Sequence, residues 1–303
     1  MRFSLALALA LLPAPVMAEV PRVVTDIHPV HSLVSLVMGD LGQPALLLDK
    51  GANDHDFTLR PSQAAGLQKA DLVVWIGPEL TPWLDRALTG IGARADRLGL
   101  LALPGTVQRD YGADEDHEDD HGDHSSHDHD HTGLDPHAWL DPANAGVWLT
   151  AIAAELSDHD PANAATYAAN AAAARDRIAA LDAALAAELA PVKDKPFVVF
   201  HDAYGYFAGH YGLTVAGSVS LGDAAAPGAA HVQKTRAPLT GGKVLCAFPE
   251  AQHDPRLLTT LLDGTSVTLG GTLDPSGSSL EPGPQLYETL LRGMADTLAG
   301  CLN

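Results

Sequence analysis

Basic residues are scarce: 18 Lys and Arg stand against 38 Asp and Glu, a formal net charge of −20 over 303 residues. Such a chain has no basic face with which to hold nucleic-acid phosphates or dock on anionic lipid. Long apolar runs are missing too. The run from Leu5 to Leu12 is about half of what a membrane helix of roughly 20 residues needs, and no later stretch is longer. Cysteine is limited to Cys246 and Cys301, too few thiolates for a metal site built on sulfur. No HExxH helix and no nucleophile elbow occurs, which leaves little for a hydrolytic enzyme. Global disorder is excluded as well, because 46% of the residues are hydrophobic.

What the chain does have is histidine, 15 in all. The N-terminus sets the compartment. Arg2, the apolar run and the small-residue exit Val16-Met17-Ala18 read as a secretory signal peptide over residues 1–18, cleaved near Ala18. An exported chain meets an oxidising environment, so a Cys246–Cys301 disulfide is the simplest assignment. It would close a loop of about 56 residues, typically worth about 2–4 kcal/mol.

Apolar strands alternate with helical segments, the pattern of an α/β protein. Strands are expected at Arg22–Ile27, Ala45–Leu48, Asp71–Ile76 and Arg97–Ala102, and again at Phe197–His201, Leu213–Gly217, Lys243–Phe248 and Ser266–Leu269. Helices are expected near 29–38, 60–70, 79–88 and 282–299. Two sets of about four strands imply two similar lobes, 19–158 and 192–303. Between them, 159–191 is alanine-rich, with Ile178, Leu181, Leu185 and Leu189 at helical spacing and no break before Pro191. This segment reads as a rigid linker helix.

Residues 114–131 read DEDHEDDHGDHSSHDHDH: nine carboxylates and six histidines (His117, His121, His124, His127, His129 and His131) with no apolar side chain. Nothing there can be buried, so a disordered loop is expected, one that binds divalent transition metals weakly. A tighter site is expected from three other histidines, each in a turn with a carboxylate beside it. They are His55 in Asn53–Phe57, His137 in Leu134–Pro142, and His201 at the end of the strand FVVFH. Neutral imidazoles suit zinc and disfavour Mg²⁺ and Ca²⁺. Asp54, Asp274 or a water are candidates for a fourth ligand, and Glu250 for an outer contact. His28, His31, His159, His210, His231 and His253 carry no pattern that marks them as ligands.

The stretches 55–80 (HDFTLRPSQAAGLQKADLVVWIGPEL), 135–145 (DPHAWLDPANA), 200–213 (FHDAYGYFAGHYGL) and 271–277 (GTLDPSG) carry a family likeness. With the acidic histidine tract and the two cysteines, they make the chain resemble the ZnuA-type zinc binders among the cluster A-I solute-binding proteins of ABC transporters. The resemblance runs over the whole mature chain. It implies two βα lobes with mainly parallel four-stranded sheets, a rigid connecting helix, and one Zn²⁺ in the interlobe cleft on His55, His137 and His201. Manganese-binding relatives typically place Glu where this chain has His201. Asp54 departs from the Glu of close zinc-binding relatives, and its shorter side chain shifts the expectation for the fourth ligand toward Asp274 or water, with Asp54 still a candidate. The implied function is capture of Zn²⁺ in the periplasm by a monomer that serves an inner-membrane permease and its ATPase, with a zinc chaperone as a further partner. The rivals of other classes are a manganese or iron carrier of the same fold, a periplasmic zinc buffer, and a zinc hydrolase.

Overall fold

The computed structural model describes residues 19–91, 94–111, 133–220 and 229–303. The expected signal peptide and the acidic histidine tract therefore lie outside the described residues. In the first half, β1 (Val23–Thr25), β2 (Ala45–Leu46), β3 (Leu72–Trp75) and β4 (Asp96–Gly99) form a parallel sheet in the order β2-β1-β3-β4. In the second half, β5 (Phe197–His201), β6 (Val215–Ser220), β7 (Cys246–Ala247) and β8 (Thr268–Leu269) repeat that plan as β6-β5-β7-β8, again all parallel. The strands are shorter than the apolar runs that announce them. Lys243–Phe248 contributes only two residues to the ladder, whereas the strand expected at Leu213–Gly217 begins later and runs on to Ser220.

Alternation along each strand divides two packing layers. Val23, Leu72, Val74, Phe197 and Val199 face one large cluster that also takes in Leu298 and Leu302. Val24, Val73 and Trp75 face a separate cluster with Trp83, Leu84 and Leu88, and Val198 and Phe200 face a third with Leu239 and Leu258. The large cluster is shared by both halves and is filled by four helices: α1 (His28–Met38), α4 (Pro142–His159), α5 (Ala164–Leu189) and α9 (Leu286–Leu302).

The alanine-rich segment forms α5, 26 residues and roughly 39 Å long. Tyr167, Ala171, Ala174, Ile178, Leu181, Leu185 and Leu189 recur at three- and four-residue steps and make its buried stripe. It joins the two halves by leading from α4 to β5 while packing on α1, α4 and α9. The 18-residue α4 was not isolated in the sequence. Its start is nonetheless conventional: Asp141 accepts from the Ala143 amide as N-cap and Pro142 follows at the first helical position. On the outer faces lie α2 (Pro61–Gln68), α3 (Pro82–Gly90), α7 (Ala229–Thr240) and α8 (Arg256–Leu262), whereas α6 (Gly205–Tyr211) packs into the shared cluster through Tyr206, Phe207 and Ala208. Cys246 in β7 is bonded to Cys301 in α9, which ties the last helix to the second sheet. Among the described residues no helix is long and apolar enough to cross a membrane.

Candidate metal centre

The carboxyl ends of the parallel strands point toward one region, where loops from both halves meet. His55 lies between β2 and α2. The Asn53 side-chain oxygen accepts from the backbone amides of His55 (2.8 Å) and Asp56 (3.2 Å), a local turn that sets the direction of the imidazole. Pro61 then opens α2, with the Arg60 amide donating to Gln63. His137 precedes a single 3₁₀ turn at 138–140. Its backbone amide and its ring Nδ1 both donate to Asp135 Oδ1, at 2.9 and 2.7 Å. His201 ends β5, and its Nδ1 donates to Glu250 Oε2 at 2.7 Å. The Tyr204 hydroxyl donates to the same Glu250 oxygen at 3.0 Å.

These partners fix the tautomers. A carboxylate accepts, so the Nδ1 of His137 and of His201 carries the proton and each Nε2 presents a lone pair. Those lone pairs converge. His137 Nε2 lies 3.3 Å from His55 Nε2 and 3.4 Å from His201 Nε2. Facing lone pairs repel unless a cation lies between them. With Zn–N bonds of roughly 2.0–2.1 Å in a tetrahedron, neighbouring ligand atoms stand about 3.3 Å apart. His137 and His201 are buried and His55 is half-buried, so the cluster has one open side.

The two carboxylates expected as possible fourth ligands lie outside this cluster. Asp274 is engaged in its own turn. Its Oδ1 accepts from the Ser278 amide (3.0 Å) and hydroxyl (3.3 Å), and its Oδ2 from the Ser279 amide (2.9 Å) and hydroxyl. Gly277, at φ +65°, allows the tight reversal. That turn is a bridge between halves: Ser278 O accepts from Gly51 N, and Pro275 O accepts from Trp139 Nε1. Asp54 is buried and its backbone carbonyl accepts from Trp83 Nε1 at 2.9 Å. Asp26, at the end of β1, is fully buried with its oxygens on the Ile27 and Ile76 amides, and burial pushes its carboxyl up to about 7.

The other histidines divide differently from the sequence reading. His28 and His31 in α1 stand apart from the cluster, and burial holds the His28 imidazole down to about 4, hence neutral. His159, His210 and His253, which showed no pattern in sequence, each face carboxylates. His159 Nε2 is 3.2 Å from Asp96 and 3.9 Å from Glu155. His210 lies between Asp141 and Asp182 at 2.9 and 2.8 Å. His253 Nε2 is 3.6 Å from Glu250 Oε1. The role of Asp135 was also missed, although its place two residues before His137 is the signal that would have found it.

Comparison with known proteins agrees with this architecture. The chain is 53% identical to the high-affinity zinc uptake system protein ZnuA of Paracoccus denitrificans, with 98% of this chain and 97% of that protein aligned. The Brucella suis protein of the same name is 38% identical over 93% of this chain and 91% of its own length. Among solved structures, a crystal structure of ZnuA superposes with a TM-score of 0.74 at 22% identity, covering 93% of this chain and all of the other. The manganese complex of the solute-binding protein FpvC from Pseudomonas aeruginosa gives 0.79 at 23% identity, covering 93% of this chain and 98% of that one. At that level of identity these two likenesses speak to the fold alone. The profile of the ZnuA family, zinc-uptake complex component A, periplasmic, matches residues 23–301, and the chain belongs to that family.

Proposed function

We propose that this protein captures Zn²⁺ in the periplasm and hands it to an inner-membrane permease driven by a cytoplasmic ATPase. One observation carries the reading: the imidazoles of His55 and His201 both converge on that of His137, with Nε2 atoms 3.3 and 3.4 Å apart, the spacing of tetrahedral zinc ligands, and a carboxylate sets the tautomer of two of the three. His55, His137 and His201 hold the ion, and a water fills the fourth place, since Asp274 is committed to Ser278 and Ser279. The protein is a carrier and not a catalyst. Its ion is cargo, and the carboxylates beside the triad, Asp135 and Glu250, orient its ligands. Membership of the zinc-uptake family and the names of the relatives favour zinc over manganese.

The remaining parts follow from that role. Residues 1–18 direct export and are removed. Residues 19–158 and 192–303 act as the lobes and 159–191 as the connection. Because α5 is packed along its length, release on docking to the permease proceeds by rearrangement of the site loops, without wide lobe closure. The tract at 114–131 binds zinc weakly, to concentrate it or to sense its abundance. The test is calorimetry on the mature chain with residues 114–131 removed. One tight Zn²⁺ event is expected, with Mn²⁺ failing to displace it at equal concentration. Loss of the tight event with the tract, or preference for Mn²⁺, would overturn the reading.

A further inference from the structure

Glu250 has a second oxygen that the triad does not use. Oε2 serves His201 and Tyr204, whereas Oε1 faces His253 Nε2 across 3.6 Å. That separation is too long for a hydrogen bond. It is close to the spacing of about 3.3 Å between two ligand atoms on one tetrahedral zinc ion. The ring of His253 is also held in place, stacked on Phe200 with centroids 4.3 Å apart and planes 18° off parallel. Ligand atoms of His201, Glu250 and His253 all lie within 4.8 Å of one another. Exposure grades outward across the group. Glu250 is 1% exposed at its side chain and His253 15%, so His253 is the member that solvent reaches.

We propose that His253 Nε2 and Glu250 Oε1 form a second, weaker site for a divalent transition metal, joined to the triad through Glu250, which supports His201 from the ring edge away from the triad. Two protein ligands leave the rest of the sphere to water, so an ion there is held loosely. Imidazole with carboxylate selects the same borderline cations as the triad and discriminates against Mg²⁺. Glu250 belongs to both sites through different oxygens. An ion on Oε1 draws charge away from Oε2 and weakens the support of His201, so the outer ion loosens the inner one. The outer site is thus coupled to the inner one through Glu250, an inference that rests on the triad being the tight zinc site.

The test counts zinc at saturation by equilibrium dialysis on the mature chain lacking 114–131. The background carries His159→Ala, so that the exposed Asp96–Glu155–His159 group contributes nothing. His253→Phe keeps the stack on Phe200 and removes the ligand. The proposal expects this variant to bind one zinc fewer than its parent at high zinc while the tight calorimetric event remains. An unchanged count overturns the outer site. Absence of a tight event in the parent itself would instead overturn the triad reading, so the two failures are distinguishable. His253→Ala serves as a second variant. It loses the stack as well, and it must lose the same single ion for the assignment to stand.

Discussion

An imidazole becomes a strong zinc ligand when its far nitrogen is held by an acceptor that also raises its basicity. Asp135 and Glu250 do this for His137 and His201, each at 2.7 Å. Neither carboxylate needs to touch the ion to matter. Glu250→Gln and Asp135→Asn preserve size and one acceptor oxygen but remove the charge. Each is expected to lower zinc affinity by roughly 10–100-fold while the fold persists, as read by competition with a chelator of known strength. Unchanged affinity in both would mean that the carboxylates only pack. At this scale the sequence was legible where chemistry is local. His55, His137 and His201 each sit in a turn beside a carboxylate, and that pattern can be read without a structure. Asp274 shows the opposite. It has the right residue type after a strand, yet its oxygens are taken by Ser278 and Ser279, a commitment visible only once the turn is built.

Elements pack through contacts that are distant in sequence, and there the sequence is less informative. The stripe of α5 announced itself by its spacing, because helical period and burial are the same signal. The two-residue strands β7 and β8 could not be bounded, because apolar content continues past the ladder into Val244 and Phe248. His210 gave no sequence signal, since its partners are Asp141 at the cap of α4 and Asp182 on α5. It fastens α6 to both helices, and the hydrogen bond to Asp141, opposed by burial and aided by Asp182, raises its pKa to about 9. A pKa raised in the folded state stabilises fully below the unfolded value of about 6.5, and that contribution is lost as pH rises through about 9. Denaturant unfolding of the metal-free protein should therefore show stability falling between pH 7 and pH 10. The fall should be smaller in His210→Gln, which cannot carry the charge. Parallel pH profiles for the two proteins would rule out a charged clamp.

The molecule as a whole is two copies of one sheet plan facing a common helical layer, and the cleft takes ligands from both. His55 and His137 come from the first half and His201 from the second, so a bound ion links segments that the chain joins only through α4 and α5. The Asp274–Ser279 turn and the Cys246–Cys301 bond already fasten the second half, the turn to the loops at Gly51 and Trp139 and the disulfide internally. Zinc adds a fastening that depends on concentration. A ligand that binds only the folded state stabilises it by about 2.7 kcal/mol when free ligand is 100 times Kd. For chains of this size, 1 kcal/mol moves Tm by roughly 2–4 °C, so zinc should raise Tm by about 5–10 °C over the chelated protein. The measurement is a thermal melt of the chain lacking 114–131, with zinc and with chelator. His201→Ala removes the triad's ligand from the second half and leaves His55 and His137 in place. Its zinc-dependent rise should fall to a small fraction of the parent's, even though two imidazoles remain in the first half. If the variant keeps the full rise, the ion is held within one half, and the cleft does not couple the two.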